Sequence, residues 1–336
     1  MALKPPVEVP QGAIRLNTDS QKMEFFAQDQ WWEMSTFPWS DPNSSRRGLN
    51  MGKAPECTND VTYFTLDSKG NAVDFGDMQN GVGACAAAGG NTRGIKFGGV
   101  TSYPGTFTNA IDYFNIATTG NGQDFGDMET SRRAPGGFGN SVRAGILGGA
   151  SPSYVATLTD IDYVTIATTG NTQDFGNISS ASSWNGSSQI GNSTRALAGG
   201  IGSNSPTNTN RIDYFNIATT GSVADFGELT VVMANNMVAS NSIRGIFAGG
   251  ENNSSSAKMD YVTIATQGDS LDFGDLTAGA HECSGMASPI EAFFMSNASA
   301  DVCFVTIATA GNAADFGDLL VAAHHKSSLT NCHGGV

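Results

Sequence analysis

Charge is scarce in this sequence. Only 14% of the residues are charged, and 17 Lys and Arg face 31 Asp and Glu, which leaves a net charge of −14. A nucleic-acid surface needs a clustered Lys/Arg footprint, so no nucleic-acid partner is expected. No stretch approaches the roughly 20 apolar residues of a membrane span, and no membrane insertion is expected. Met1 to Gln11 lacks the apolar core of a signal peptide. The five cysteines are an odd number, scattered and without paired spacing, which argues against a disulfide framework and for a reducing compartment. Cys85 and Cys283 each lie nine residues after the Gly of an Asp-Phe-Gly, as small packed residues at one repeat position.

Glycine and repetition are abundant instead. The phrase Ile161-Asp162-Tyr163-Val164-Thr165-Ile166-Ala167-Thr168-Thr169-Gly170, followed by Asp174-Phe175-Gly176, recurs in six variants. The Asp-Phe-Gly sites begin at Asp74, Asp124, Asp174, Asp225, Asp272 and Asp315, with spacings of 50, 50, 51, 47 and 43 residues. That period suits one small antiparallel sheet per unit and is long for most helical repeats. Much of the acidity belongs to this repeat: 15 of the 31 acidic residues recur at its fixed positions. It is therefore not read as a site for cationic ligands.

Each unit divides into four short strands. A Gly/Ala/Ser-rich strand such as Gly81 to Gly89 comes first. An Arg-led strand ending in a Gly pair follows, as in Arg143 to Gly149. The third is the Asp-Tyr phrase, and the fourth ends at Asp-Phe-Gly. In the third strand Ile111, Tyr113 and Asn115 point one way while Asp112, Phe114 and Ile116 point the other. Large apolar groups on both faces predict a strand covered on both sides, as in sheets stacked around an axis. Phe75, Phe125, Phe175, Phe226, Phe273 and Phe316 are expected to wedge between neighbouring sheets, with the flanking Asp as a turn acceptor and the Gly as a permissive backbone position. The first unit starts at its second strand, Arg46-Arg47-Gly48 to Gly52, and a spare first strand, Lys326 to Cys332, follows the sixth Asp-Phe-Gly. Pairing the two would remove an exposed edge and close a six-bladed β-propeller over residues 46–336. Unit six has Glu291 for the Arg and Cys303 for the Asp, so an ion pair within a blade is expected, for example Arg143 with Asp162.

Residues 1–45 form a different segment. Ala13 to Leu16 and Lys22 to Phe26 alternate like strands around Asn17-Thr18-Asp19-Ser20, and Trp31 to Met34 supplies a third. Three strands this small do not stand alone. With Phe25, Phe26, Trp31 and Trp32 so close together, this module is expected to pack on the propeller or on another subunit.

Gly12 to Phe26, ending in Trp31-Trp32-Glu33-Met34, resembles a short β-module near the N-terminus of tailed-phage virion proteins. The Asp-Tyr-Val-Thr-Ile-Ala-Thr-x-Gly…Asp-Phe-Gly-Asp-Leu repeat resembles the Kelch-like arrays of virion structural proteins from phages of marine cyanobacteria. Gly148-Gly149, Tyr163 and Phe175 occupy the positions of the Kelch Gly pair, Tyr and late aromatic, with Phe where Trp is usual. The resemblance implies an all-β, Kelch-like virion component: a tail-fibre or host-adhesion protein, or alternatively a capsid-bound decoration protein. It also implies a homo-oligomer that contacts other virion proteins through the N-terminal module and a host-surface glycan or protein through its propeller loops.

No catalytic residue is expected. Six copies of Asp-Phe-Gly without a phosphate loop or a His-Arg-Asp loop are structural, not a kinase magnesium motif. His324-His325 with Cys332-His333 fits no standard zinc spacing, so no metal or cofactor is expected. The second alternative, a carbohydrate-active propeller, needs two paired carboxylates that nothing in the sequence singles out. The variable loops after the Gly pairs are the expected binding elements, with Tyr103, Phe107 and Tyr154 as exposed aromatic candidates.

Overall fold

The structure is a computed structural model that describes residues 9–17, 22–33, 46–102, 105–151, 157–182, 190–200, 208–295, 299–322 and 324–336. It is all-β, with only antiparallel sheets of two to four strands among the described residues. The chain divides into two compact units, Met1–Asn43 and Ser44–Val336.

The first unit is a three-stranded sheet of Ile14–Asn17, Lys22–Ala27 and Gln30–Glu33. Its register pairs Ile14 with Phe25, Leu16 with Met23 and Phe25 with Trp32. Because side chains alternate along a strand, these five share one face. Ile14 and Leu16 are each 59% exposed and Trp32 is 47% exposed. On the opposite face the guanidinium of Arg15 lies 4.0 Å from the Trp31 ring centroid and pairs with Glu24 at 2.7 Å. One face is thus held by cation–π and ionic contacts, and the other is apolar and exposed.

The second unit repeats a single antiparallel sheet. In the third copy, Gly136–Gly139, Arg143–Leu147, Leu158–Thr165 and Gln173–Ser182 lie in that order. The second, fifth and sixth copies have the same order, and the fourth has three strands plus a bridge from Gly191 to Ala196. The first copy takes its first strand from the far end of the chain. Ser327–Thr330 pairs antiparallel with Arg47–Met51, matching Ser327 with Met51 and Thr330 with Gly48.

Asp-Phe-Gly lies inside the fourth strand, not at its end. In the third sheet Ile161 faces Gly176 and Asp162 faces Asp174, so Phe175 is the extra residue of a β-bulge. The same shift occurs in the other five sheets. The bulge turns Phe175 into the space between sheets, where its ring centroid lies 5.8 Å from Tyr163 of its own sheet and 5.0 Å from Phe215 of the next. All six of these Phe side chains are buried, none more than 5% exposed. The motif aspartates are exposed, and none of their carboxylates accepts a hydrogen bond within a turn among the described residues. Gly176 has φ +148°, and a Cβ there would meet the carbonyl oxygen of Gly221 at 2.3 Å. Glycine is therefore required both for the backbone angle and for the approach of the next sheet.

That approach is a hydrogen-bonded latch. The Phe175 carbonyl accepts from Gly221 N at 2.7 Å, and Asn177 O accepts from Val223 N at 3.1 Å. Equivalent bonds join the first sheet to the second, the second to the third, the fourth to the fifth and the fifth to the sixth. The sixth sheet bonds to the first, with Ala72 N donating to Asp318 O at 2.8 Å and Asp318 N to Asn71 Oδ1 at 3.1 Å. The first strands also touch each other. Ser328 Oγ donates to Gly285 O at 2.9 Å, and Thr330 Oγ1 to Ala287 O at 2.8 Å. The last residues are buried against these strands: Gly334 N donates to Ser240 O, and Gly335 O accepts from Ser141 N.

Candidate functional site

Of the three loop candidates, Tyr103 and Tyr154 lie outside the described residues. Phe107 lies in the short strand Thr106–Phe107, which pairs with Val100–Ser102, and is partly buried.

The expected ion pair of Arg143 with Asp162 does not form. Register places Arg143 opposite Thr165 and Asp162 opposite Ile146, three residues apart and on opposite faces of the sheet. Arg143 instead stacks over Tyr163, its guanidinium carbon 4.5 Å from the ring centroid, and donates to Ile217 O of the next sheet at 2.7 Å. Arg47, Arg93, Arg195 and Arg244 repeat this stack on Tyr63, Tyr113, Tyr214 and Tyr261. Each also reaches two carbonyls of the following sheet, as Arg93 does with Ile166 and Ala167. Unit six has lost Arg and Tyr together: Glu291 and Phe304 stand there, and the cation over Phe304 is Lys69 of the first sheet, 4.5 Å away. The partner of the repeat Arg is therefore the Tyr, which also explains why Arg47 persists where Thr62 replaces the Asp. Replacing Arg143 with Met is expected to cost about 1–2 kcal/mol, one cation–π contact and one hydrogen bond. A urea midpoint equal to wild type would refute that strapping role.

The repeat Asp serves the segment that enters its own sheet. Asp112 lies 3.4 Å from Lys96 Nζ and accepts from Gln79 N, and both members of the ion pair are essentially fully buried. Asp162 pairs with the buried Arg132, and Asp213 with Arg211 at 2.6 Å. Asp260 accepts from Thr230 Oγ1 at 2.8 Å and Ser270 Oγ at 2.9 Å. Burial pushes the Asp162 carboxyl above the usual carboxylate range, and the Arg132 charge opposes this. The first sheet has Thr62 at this position, and a cavity of about 280 Å³ opens there. Its lining includes Asn50, Thr62, Leu319, Leu320 and Lys326. Lys326 Nζ is buried with no hydrogen-bond partner among the described residues, and burial pulls its pKa down to about 8.

The four C-terminal metal-ligand types do not cluster. The strand Ser327–Thr330 separates His325 from Cys332 and His333. His333 is buried, with Nε2 donating to Gly89 O at 2.9 Å and Nδ1 accepting from Gly335 N at 3.0 Å. Burial holds its pKa down at about 4. As pH falls below about 6.5 the unfolded chain takes up the proton first, so this group lowers stability across the window from 6.5 to 4, by about 2 kcal/mol at pH 5. His333→Gln, which cannot titrate, should flatten the fall in urea midpoint between pH 7.5 and pH 5; a slope unchanged from wild type would contradict this.

His325 joins a group that sequence order conceals. Its Nε2 lies 3.7 Å from Glu282 Oε2, while His281 Nε2 lies 3.9 Å from the same oxygen and 3.7 Å from Glu251 Oε2. The available signal was positional: His281 and His324 each fall seven residues after the Gly of an Asp-Phe-Gly, and Glu282 and His325 fall eight. The eighth-position residues Ala84, Ala134, Asn235, Glu282 and His325 all have positive φ. Their backbones bond in series: Ala134 N to Ala84 O, Ala84 N to His325 O, His325 N to Glu282 O and Glu282 N to Asn235 O. Side chains 43 residues apart in sequence are thereby held in register as neighbours. The five cysteines form no disulfide among the described residues, and burial pushes the Cys283 and Cys332 thiols up to about 12.

No protein-family model matches this chain, and no curated protein matches it in sequence.

Proposed function

We propose that this chain is a non-enzymatic structural and binding protein of a phage particle. In this reading residues 46–336 form a closed six-bladed Kelch-like β-propeller that presents its loops to a partner. The closed form is supported by latches linking each sheet to the next and the sixth to the first, and by the pairing of Ser327–Thr330 with Arg47–Met51. The observation that carries an anchoring role is the exposed apolar face of the N-terminal sheet: Ile14, Leu16, Met23, Phe25 and Trp32. Such a face on so small a sheet is an interaction surface. It would join the protein to other particle components or to further copies of itself, leaving the propeller loops for a host-surface glycan or protein in a tail-fibre role. The sequence resemblance to phage virion proteins favours that setting.

Gold-labelled antibody against residues 46–336, applied to intact particles and viewed by electron microscopy, tests the reading. Label on the tail or its fibres is the expected result. Label over the head would make the protein a capsid decoration instead. Absence of both label and its peptides from digested particles would overturn the virion reading.

A further inference from the structure

We propose that Glu251, His281, Glu282 and His325 form a binding site for a single divalent transition-metal ion of the zinc class. The ligand atoms of Glu251, His281 and Glu282 all lie within 4.8 Å of one another. His281 lies 3.7 Å from Glu251 and 3.9 Å from Glu282, and His325 lies 3.7 Å from Glu282, against a donor separation of about 3.3–3.6 Å around tetrahedral zinc with ligands at 2.0–2.2 Å. Closing the difference at His281 requires small shifts at the ends of flexible side chains, and His325, which lies outside the group of three, must turn further to become the fourth ligand. Two imidazole nitrogens with two carboxylates suit zinc, cobalt or nickel better than calcium or magnesium, which prefer all-oxygen shells.

The groups behind the ligands are in place as well. Glu251 Oε1 accepts from Asn235 Nδ2 at 2.8 Å, which leaves Oε2 toward His281. Ser255 Oγ lies 2.9 Å from His281 Nδ1, so a proton on Nδ1 donated to Ser255 leaves the Nε2 lone pair directed at the carboxylates. Glu282 and His325 have positive φ and are tied by His325 N to Glu282 O, so their side chains leave the backbone in fixed directions. The two carboxylates match the charge of a dication. Two ligands come from one segment, His281-Glu282, one from the loop at Glu251, and one from His325 in the segment that leads into the strand completing the first sheet. An ion here would cross-link the fifth, sixth and first sheets.

The test uses the full chain, stripped with a chelator and dialysed, then titrated with zinc chloride by calorimetry and with cobalt chloride by visible absorption. One zinc per chain is expected, with a cobalt d–d spectrum that zinc abolishes. Glu251→Gln and His281→Ala should each weaken zinc at least tenfold, the range that loss of ligand support gives. His324→Ala, outside the four, should leave affinity within twofold. The metal-free melting temperatures of the variants show whether each remains folded. Failure of the wild-type chain to take up zinc stoichiometrically overturns the assignment. So does uptake that folded Glu251→Gln and His281→Ala variants retain unchanged.

Discussion

Phe175→Ala is expected to destabilise the protein by about 3–5 kcal/mol, the cost of emptying a well-packed aromatic site. The side chain is 2% exposed and meets Phe138, Tyr163 and Phe215 edge to face, at centroid distances of 5.9, 5.8 and 5.0 Å. The hole cannot easily collapse, because the latch from Gly221 N to Phe175 O fixes the two sheets at their separation and survives the substitution. Guanidinium titration gives the difference directly, and Phe175→Leu should recover part of it. A midpoint for the Ala variant indistinguishable from wild type would show that the bulge, and not the ring, holds the sheets together.

Asp162→Ala should cost a similar amount by a different route. It removes the carboxylate paired with Arg132, the only one among the described residues, and leaves the buried guanidinium with the carbonyls of Gly148 and Asp160 as hydrogen-bond acceptors. An unpaired buried charge costs about 3–5 kcal/mol, whereas replacing both partners with apolar groups of similar volume is often neutral. Arg132→Met with Asp162→Leu is therefore expected to restore most of the lost stability. Asp260→Asn serves as a comparison, since its partners Thr230 and Ser270 are neutral and the loss should be about 1–2 kcal/mol. If Asp162→Ala costs less than Asp260→Asn, the pair of Arg132 and Asp162 is not the dominant buried contact of its sheet.

The two residues also show what the sequence carries and what it conceals. Phe175 was legible because it repeats: a large apolar residue at one phase of every unit needs a common buried site. Arg132 was not legible, because the segment after Asp-Phe-Gly differs in every copy, with Val82, Met233 and Ala280 at the equivalent position. The joint loss of Arg and Asp in unit six points to a pair such as Arg143 with Asp162, but Tyr is lost there as well, replaced by Phe304. Strand register decides between the alternatives: Arg143 pairs with Thr165 and so shares a face with Tyr163 and not with Asp162. The histidine cluster was concealed for the opposite reason. It depends on which repeats become neighbours, and His281 and His325 come together through adjacent sheets and not through adjacent sequence.

Completion of the first sheet by Ser327–Thr330 imposes an order on synthesis. The edge of Arg47–Met51 leaves the ribosome about 280 residues before its partner, a wait of roughly 14–55 s at 5–20 residues per second. Throughout that interval the strand presents unpaired backbone groups to any other nascent chain translated from the same message, with the hazard of pairing between copies. Slowing elongation near the end of the message should therefore raise the fraction of chains trapped as intertwined dimers. A circular permutant that begins at Lys326, which leaves about 50 residues between the two strands in place of about 280, should shorten that delay several-fold.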